Sequence, residues 1–254
     1  MENYIYLKGR LIRNLRQSEY AVLNFDDETV RNLSSSTRAK IVYFSLSQKT
    51  NGAYLNDGFI CFDESKIIAV EDLPVKGIHN IYNALATVTV AKLLSVNNED
   101  IKNALIAFKG VKHRLQTVGE INGVTFIDDS KATNIDATIK AVESMTCPTV
   151  LLLGGKDKGD NYATLFEKLK QSKVVHAVLY GENRFKLLYS ATESDFFPIS
   201  FCAEFNTAVK LAYYIAKQNQ TVLLSPASSS FDKFANYEER GDAFVSLVEK
   251  LNEY

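Results

Sequence analysis

The stretch VTFIDDSKATN, residues 124–134, decides the fold class of this chain. Its first four residues, Val124-Thr125-Phe126-Ile127, are typical of a buried strand, and the turn sequence Asn122-Gly123 before them predicts a β-hairpin. Two acids, a serine, a lysine, a threonine and an asparagine follow the apolar run. A buried strand that ends in a short polar loop ahead of a helix is typical of an α/β protein.

Strands and helices continue to alternate to the end of the chain. Apolar residues recur at helical spacing from Ile135 to Met145, behind Asn134 or Thr133 as the candidate cap. Further strands are predicted at 149–155, 176–182 and 221–227, and further helices around 162–169, behind a cap at Asn206, and ending near Leu251. Near-continuous apolar strands between amphipathic helices predict a mostly parallel sheet covered on both faces. The predicted fold class is therefore α/β, with a Rossmann-like C-terminal sheet and flanking helices.

The first 110 residues follow a different pattern, with shorter strands. A helix is predicted from Ile5 to Leu15, followed by strands at 21–27, 41–46, 58–63 and 66–70 and by helices at 79–95 and 98–108. Asn98 is the candidate cap of the last helix. Because glycine often ends a helix, Gly110 marks a boundary between one domain at 1–110 and a second at 111–254.

Composition excludes several classes of protein. The 254 residues are 46% hydrophobic and 23% charged, with a net charge of −1, so bulk charge does not indicate a nucleic-acid partner. No apolar run approaches the ~20 residues needed to span a bilayer, and the N-terminus lacks a signal-peptide core. Three widely spaced cysteines, Cys61, Cys147 and Cys202, are typical of reduced thiols. We expect a cytoplasmic protein, monomeric, without nucleic-acid or membrane partners.

Three predicted strands end in polar or glycine-rich loops, at 128–134, 154–158 and 225–230. Each loop alone is more often a plain turn or a helix cap. In an open parallel sheet, however, ligands bind beyond the carboxyl ends of the strands, so the three loops are expected to converge at one edge. The lysines there, together with helix N-termini, would attract a carboxylate or a phosphate.

Ordered motifs along the chain resemble those of the Mur ligases. They are HNIYN (79–83), GVKHRLQ (110–116), FIDDSKATN (126–134), LLLGGKDKG (151–159) and LLSPASSSFDKFANYEERGDAF (223–244). The resemblance covers essentially the whole chain. Within the family, the Asp-Ser-Lys-Ala-Thr-Asn string is similar to that of the members that add D-glutamate. The resemblance therefore implies that 1–110 is part of the central ATP-binding domain and 111–254 the D-glutamate-binding domain.

The resemblance also implies a reaction. ATP would phosphorylate the carboxylate of UDP-N-acetylmuramoyl-L-alanine, and the amine of D-glutamate would attack the acyl phosphate to form an amide in peptidoglycan precursor synthesis. Magnesium ions and lysines neutralise charge in phosphoryl transfer of this kind. The implied ligands are therefore ATP, Mg²⁺, D-glutamate and the UDP-linked substrate.

Candidate site residues follow from the resemblance by position. The implied nucleotide contacts are Asn80 and Asn83 near the adenine or phosphates, Arg114 on the nucleotide, Asp129 on the ribose and Lys131, also a catalytic candidate, near the transferring phosphate. The implied D-glutamate contacts are Thr133, Lys158, Ser230, Phe231 and Tyr237. Lys8 matches the lysine that the family carries as a carbamate close to magnesium, which makes it a catalytic and metal candidate. The chain departs from the family at Ser228-Ser229, where Cys-Ala is common.

The three histidines, His79, His113 and His176, have no other ligand at metal-binding spacing. A hydrogen-bonded structural role is the preferred interpretation for each of them.

No Gly-x-x-Gly-Lys-Ser/Thr string occurs in the chain, so a phosphate-cradling P-loop is missing. In the family this loop precedes the segment where the chain begins. We therefore expect Met1 to be an internal methionine of a longer ligase, and this chain to be inactive alone.

Two functions remain open, a truncated ligase and a non-catalytic module that binds an amino acid or nucleotide. The DNA upstream of Met1 distinguishes these two functions. A Gly-Lys-Ser/Thr sequence encoded there supports the truncated ligase, whereas a promoter at Met1 supports the non-catalytic module. A dinucleotide-dependent oxidoreductase is disfavoured because no Gly-x-Gly-x-x-Gly follows a strand. The string at 128–134 disfavours folylpolyglutamate synthase, which shares the architecture.

Overall fold

The computed structural model describes residues 2–75 and 77–251, with the side chains of 2–4 left aside. Met1, expected to be an internal methionine, lies outside the described residues. The chain divides into two compact units, Met1–Gly110 and Val111–Tyr254. Among the described residues, no helix combines the length and apolar character that crossing a membrane requires.

The first unit contains two small sheets. Its elements in chain order are α1 (Glu2–Arg13), β1 (Tyr20–Asn24), α2 (Glu28–Asn32), β2 (Lys40–Phe44), β3 (Tyr54–Asn56), β4 (Phe59–Phe62), β5 (Ser65–Ala69), α3 (Ile78–Leu93) and α4 (Asn98–Ala107), with short 3-10 turns at Leu33–Ser36 and Val70–Asp72. β1 and β2 pair in parallel, whereas β3, β4 and β5 form an antiparallel meander. The core of the unit lies around Ile60, Ile68, Leu85 and Val88.

The four strands and three helices predicted for this unit are confirmed, although α1 begins and ends earlier than predicted; α2 and β3 were not predicted. The predicted cap of α4 is wrong by one residue. Asn97 is the cap, with an extended backbone and a side chain that accepts the Asp100 N–H at 2.9 Å. Asn98 is instead the first helical residue, and its side chain accepts a hydrogen bond from Lys92 Nζ. The cap must precede the helix because its side chain folds forward onto free N–H groups.

The second unit is built on one six-stranded sheet. Its elements are β6 (Gln116–Ile121), β7 (Val124–Asp128), α5 (Ile135–Glu143), β8 (Thr149–Gly154), α6 (Ala163–Lys170), β9 (Val174–Tyr180), α7 (Arg184–Glu193), β10 (Ile199–Phe201), α8 (Phe205–Ile215), β11 (Thr221–Leu224) and α9 (Tyr237–Leu251). The strand order is β10-β9-β8-β11-β7-β6. All neighbours are parallel except β6, which pairs antiparallel with β7. The predicted α/β fold with a mostly parallel sheet is confirmed.

Both faces of this sheet are buried. Alternate residues of a strand point to opposite faces, and in β8 Leu151 and Leu153 belong to one apolar cluster while Val150 and Leu152 belong to another. Helices α5, α6 and α7 contribute to the first cluster, and α8 and α9 to the second. A continuously apolar strand is stable only when both faces are covered, which explains the run of leucines in β8.

Turn and cap residues explain where the elements of the second unit begin. Asn122 and Gly123 have φ values of 51° and 77° and join β6 to β7 as a two-residue hairpin loop, as predicted. Asn134, rather than Thr133, caps α5, since its side chain accepts the Ala137 N–H at 2.9 Å.

The cap predicted for α8 is wrong. The helix begins at Phe205 behind Glu204, and no side chain caps it. Asn206 therefore lies inside the first turn. Burial of Phe205 against the sheet, rather than a capping hydrogen bond, accompanies the start of the helix. Two further elements, α7 and β10, were not predicted.

Candidate functional site at the carboxyl edge of the sheet

Three loops of the second unit meet at the carboxyl edge of its sheet. We call residues 128–134, 154–159 and 225–231 the three-loop edge. They are adjacent because β11 lies between β7 and β8, so that Leu224 pairs with Asp128 on one side and with Leu152 on the other. The Ser225 hydroxyl donates to Asp129 Oδ2 at 2.8 Å, and the Lys156 N–H donates to the Ser229 carbonyl at 2.9 Å. The predicted convergence of the loops is confirmed.

Asp129 is almost completely buried at this edge, with an exposed fraction of 5%. Oδ2 accepts the Ser225 hydroxyl, and Oδ1 accepts the Leu115 N–H at 3.3 Å. Burial raises the pKa of the Asp129 carboxyl to about 7, although these two hydrogen bonds and the positive charge of Arg114 act in the opposite direction. Asp129 is therefore a carboxyl group whose charge changes near neutral pH.

The neighbouring carboxyl, Asp128, is paired with a buried histidine. His113 Nδ1 lies 2.7 Å from Asp128 Oδ2, and neither side chain has more than 1% exposure. The other oxygen of Asp128 accepts the Ser130 N–H, and the His113 carbonyl accepts the Lys131 N–H at 3.0 Å. A Cβ at position 241 would lie 2.1 Å from His113 Nδ1, so only Gly241 lets helix α9 approach this closely. The predicted hydrogen-bonded role of His113 is confirmed.

The same role is confirmed for His176, whose Nε2 lies 2.9 Å from the Ser200 hydroxyl. Within the described residues, no three or more His, Cys, Asp or Glu side chains are arranged to hold a metal ion. Metal binding by Lys8 stays a prediction.

Arg240 is a site residue that sequence reasoning missed. Its side chain is completely buried beneath the three-loop edge. Nε donates to the Ser130 hydroxyl at 2.9 Å, Nη2 to the Ser130 carbonyl at 2.8 Å and Nη1 to the Ser228 carbonyl at 3.0 Å. One guanidinium thus ties the loop after β7 to the loop after β11. No local signal marks this arginine, because one charged residue among several at the start of a helix is usually solvated.

A second buried group joins the remaining loop. The Asn183 amide donates to the Tyr162 and Ser228 hydroxyls, both at 2.8 Å, and its oxygen accepts the Gly155 N–H at 3.0 Å. Gly155 has a φ of 146°, and a Cβ there would lie 2.2 Å from the Ser229 carbonyl. The Gly-Gly string is therefore required by close backbone packing.

The structure brings together some of the candidate ligand residues of this unit. Lys131 Nζ lies 5.1 Å from the centre of the Tyr237 ring, and the Tyr237 carbonyl accepts the Ser130 hydroxyl at 2.8 Å. Thr133 is half-buried and its N–H donates to the Lys131 carbonyl. Lys131 and Tyr237 thus lie close together at the edge, with Thr133 beside Lys131.

The other candidates differ in exposure. Ser230 is buried, whereas Phe231, next to it, is 68% exposed. Lys158 and Arg114 are exposed, and Lys158 makes no hydrogen bond or ion pair with any described residue. The Ser229 hydroxyl is buried without a hydrogen-bond partner in the described part of the chain. The edge therefore combines cations that can reach a ligand with hydroxyls that have capacity to bond it.

Three candidates belong to the first unit. Asn80 and Asn83 lie one turn apart on α3, with the Asn83 amide 3.4 Å from Asn80 Oδ1. Lys8 is exposed on α1. The geometry of the three-loop edge is that of the second unit alone, and the roles of these three residues stay predictions.

The fold and this edge define a class of protein, an α/β protein with a candidate site for anionic small molecules at the carboxyl ends of its strands. Two family models match the chain, the Mur ligase middle domain at residues 1–91 and the Mur ligase glutamate ligase domain at 113–228. The chain belongs to the Mur ligase family.

Curated relatives are named UDP-N-acetylmuramoylalanine–D-glutamate ligase. The protein of that name from Caldanaerobacter subterraneus subsp. tengcongensis is 43% identical over 256 residues, covering 98% of this chain and 56% of the relative. The one from Latilactobacillus sakei subsp. sakei is 42% identical over 253 residues, covering 99% of this chain and 56% of the relative. The chain thus spans about half the length of the curated relatives that it matches.

Solved structures of other ligases share the fold. The UDP-N-acetylmuramoylalanyl-D-glutamyl-2,6-diaminopimelate–D-alanyl-D-alanyl ligase of Acinetobacter baumannii has a TM-score of 0.70 at 18% identity, covering 96% of this chain and 54% of that one. MurF ligase of Thermotoga maritima, in complex with ADP, has a TM-score of 0.66 at 17% identity, covering 99% and 58%. At these identities the likeness concerns the fold alone.

Proposed function

We propose that this chain is the nucleotide- and D-glutamate-binding portion of a cytoplasmic, ATP-dependent ligase that adds D-glutamate to UDP-N-acetylmuramoyl-L-alanine in peptidoglycan precursor synthesis. The observation that carries the proposal is the three-loop edge, where the loops bearing Lys131 and Ser230 are joined through buried hydrogen bonds. The names of the relatives at 42–43% identity support the choice of amino acid.

D-Glutamate carries two carboxylates, so its site needs cations and hydrogen-bond donors. Lys158 is exposed with its ammonium group uncommitted among the described residues, which suits it to a carboxylate. The hydroxyls of Thr133 and Ser230 would complete the hydrogen bonds, and Phe231 and Tyr237 would line the apolar part of the ligand. An acidic amino acid is thereby favoured over a neutral one.

The nucleotide would lie beside this amino acid. Lys131 would neutralise charge on the phosphate being transferred to the alanine carboxylate, before the D-glutamate amine attacks the acyl phosphate. Arg114 would contact the nucleotide and Asp129 the ribose. Each carboxyl oxygen of Asp129 accepts one hydrogen bond within the chain and has further lone-pair capacity for a sugar hydroxyl.

The first unit would contribute to the same reaction as part of the ATP-binding domain. Asn80 and Asn83 would contact the adenine or the phosphates. Lys8 would act as a carbamate beside Mg²⁺, whose role when bound is to neutralise phosphate charge. The assignment of residues 1–110 to this domain and of 111–254 to D-glutamate binding is part of the proposal.

Titration of the ¹⁵N-labelled chain with D-glutamate, followed by amide NMR, tests the proposal. Shift changes are expected at residues 128–134, 154–159 and 225–237, and L-glutamate should bind more weakly because its amine would point away from the nucleotide. Lys158→Gln should weaken D-glutamate binding about tenfold, the effect of losing a charge-assisted hydrogen bond. Lys210→Gln, at an exposed position in the middle of α8, is the matched control. Shifts scattered over both units, or equal effects of the two variants, would refute the proposed site.

The alternative, a non-catalytic module, would also bind D-glutamate. A turnover assay distinguishes it from the ligase. With UDP-N-acetylmuramoyl-L-alanine present to accept the phosphoryl group, D-glutamate-dependent release of ADP from ATP would identify a catalyst. The same assay would be run on this chain and on the longer protein that includes the residues encoded upstream. If both bind D-glutamate and neither releases ADP, the non-catalytic module is favoured.

A further inference from the structure

Arg240 is a buried cation whose hydrogen bonds all go to neutral groups. Its three donors reach the Ser130 hydroxyl, the Ser130 carbonyl and the Ser228 carbonyl. None of these partners is a carboxylate, and no ion pair of Arg240 occurs among the described residues. Because arginine stays protonated in proteins, a full positive charge lies beneath the three-loop edge.

Burying a charged side chain costs more free energy than burying an apolar one of the same size. An apolar side chain of similar volume usually stabilises a protein as well or better, because burying an ion costs several kcal/mol of hydration. A guanidinium can, however, hold two backbone segments at once with directional bonds, which a methionine cannot. This combination of cost and geometry points to a task beyond packing.

The contacts of Arg240 place it under each of the three loops. Besides the bonds to Ser130 and Ser228, its Nη1 would be 3.2 Å from a Cβ at Gly155. The Ser130 hydroxyl in turn donates to the Tyr237 carbonyl, which ties the start of α9 to the same point. Lys131 directly follows Ser130, so its position depends on this anchor.

On the basis of the proposed function, we propose that Arg240 is a positioning residue for the anionic amino acid. It holds the loop that carries Lys131 and Thr133 at a fixed spacing from the loop that carries Ser230 and Phe231. Its charge, left without a carboxylate partner, adds positive potential under the site where the substrate carboxylates would bind. Arg240 itself touches no substrate in this account.

Two variants of the full chain distinguish the contribution of the Arg240 charge from that of its hydrogen bonds to the loops. Arg240→Gln removes the positive charge and keeps one amide group as a donor. Arg240→Lys keeps the positive charge but can make fewer directional hydrogen bonds. The first measurement is amide exchange without ligand at Lys131, bonded to the His113 carbonyl, and at Lys156, bonded to the Ser229 carbonyl. The second is the Kd for D-glutamate, read together with the thermal unfolding midpoint.

We expect exchange at the Lys131 and Lys156 amides to accelerate about tenfold in Arg240→Gln, with exchange in β9 unchanged, because the loops lose their common anchor. The Kd for D-glutamate should rise about tenfold to hundredfold, and Arg240→Lys should restore part of it by restoring the charge. If Arg240 were merely structural, its replacement would weaken D-glutamate binding only as far as it lowers the unfolding midpoint. Arg240→Lys would then not restore the affinity.

Should Arg240→Gln fail to fold, Ser130→Ala tests the same anchor by removing the hydroxyl between Arg240 Nε and the Tyr237 carbonyl. Its expected effect is a few-fold rise in Kd. Ser172→Ala is the control, since that hydroxyl is also hydrogen-bonded but lies at the amino edge of the sheet.

The outcomes distinguish the two proposals. If the wild-type chain binds D-glutamate and the Arg240→Gln or Ser130→Ala chain binds it equally well, the positioning role is overturned and the proposed function stands. If the wild-type chain binds neither enantiomer, the proposed function falls, and the positioning role falls with it.

Discussion

The two units of this chain use the same ingredients, apolar strands and amphipathic helices, with different results. In the second unit every central strand has a neighbour on both sides and helices on both faces. In the first unit β1 and β2 form a sheet of two and β3 to β5 a sheet of three, and a single bridge between Ser45 and Tyr54 links them. A pair of strands is marginal in isolation, whereas a covered six-stranded sheet has its own core. The comparison shows that local strand pattern leaves open how many neighbours a strand has.

Hydrogen exchange should give the largest difference between the units. Amides of β8 and β11, central in the six-stranded sheet, are expected to exchange at least about a thousandfold more slowly than those of β1 and β2, since opening them requires unfolding of the whole unit. Mass spectrometry of the full chain under native conditions provides the measurement. Uniform protection across both units would contradict the contrast.

A matched pair of core substitutions sharpens the comparison. Leu152 in β8 and Ile60 in β4 are both completely buried, and replacement by alanine leaves a cavity at each position. Leu152→Ala should cost about 4 kcal/mol and Ile60→Ala about 3 kcal/mol.

If the units unfold separately, each variant shifts one of two transitions in urea, followed by circular dichroism and tyrosine fluorescence. A single transition moved by both variants would show that the units unfold as one.

The two units should also respond in opposite directions to pH. The pKa of Asp129 is raised to about 7 in the folded state by burial, so its protonated form is favoured there. Stability from this group is complete below the unfolded pKa and is lost as the pH rises from about 4 through 7, by on the order of 4 kcal/mol for a shift of this size. Asp129→Asn should flatten that slope in the second unit, whereas Asp136→Asn, at an exposed position, should leave it in place.

Asp26 in the first unit behaves oppositely. Burial opposes its ionisation, but hydrogen bonds from Ser45, Ser47, the Leu46 N–H and Tyr82 outweigh burial and lower its pKa. Its contribution is present above the unfolded pKa and is lost as the pH falls through the folded one. Unfolding of each unit measured between pH 3 and pH 8 checks both signs, and parallel slopes in the two units would be inconsistent with this account.

The smallest expected difference concerns two hairpins with nearly the same backbone. Asp57-Gly58 joins β3 to β4 and Asn122-Gly123 joins β6 to β7, and both glycines have a φ of 77°. Alanine at either position should cost about 1 kcal/mol because that φ is unfavourable with a Cβ.

Surroundings should then separate the two hairpin variants. A Cβ at Gly123 would lie 2.6 Å from a side-chain carbon of Gln218, whereas space around Gly58 is open. Gly123→Ala should therefore be the more destabilising by a few tenths of a kcal/mol, as measured in urea. An equal cost would show that the flexible glutamine moves aside freely.

Sequence reasoning failed where local patterns are short or misleading. Helix α7 was missed because it exposes aromatic side chains, Phe185 at 57% and Tyr189 at 67%, which obscures the spacing of its buried residues. The error between Asn97 and Asn98 arose because both residues are good caps and only the backbone decides which one lies outside the helix.

The site was predicted in part. The polar residues that follow three predicted strands indicated a site at the carboxyl edge of the sheet, because the carboxyl ends of parallel strands lie on the same side. Arg240 and Asn183 were not predicted, since each has partners far along the chain, up to 110 residues away in the case of Arg240 and Ser130. Such pairs become neighbours only through strand order.

The sequence by itself determined the α/β class, the positions of most strands and helices, the hairpin turn at Asn122-Gly123 and the family motifs, because these depend on side-chain periodicity and on the backbone preferences of single residues. Tertiary structure alone decided that β11 lies between β7 and β8, that one arginine anchors two loops, and that Asp129 titrates near pH 7. The physical reason is that hydrogen bonding and desolvation at a buried site depend on which distant segments surround it, and local periodicity carries no information about that choice.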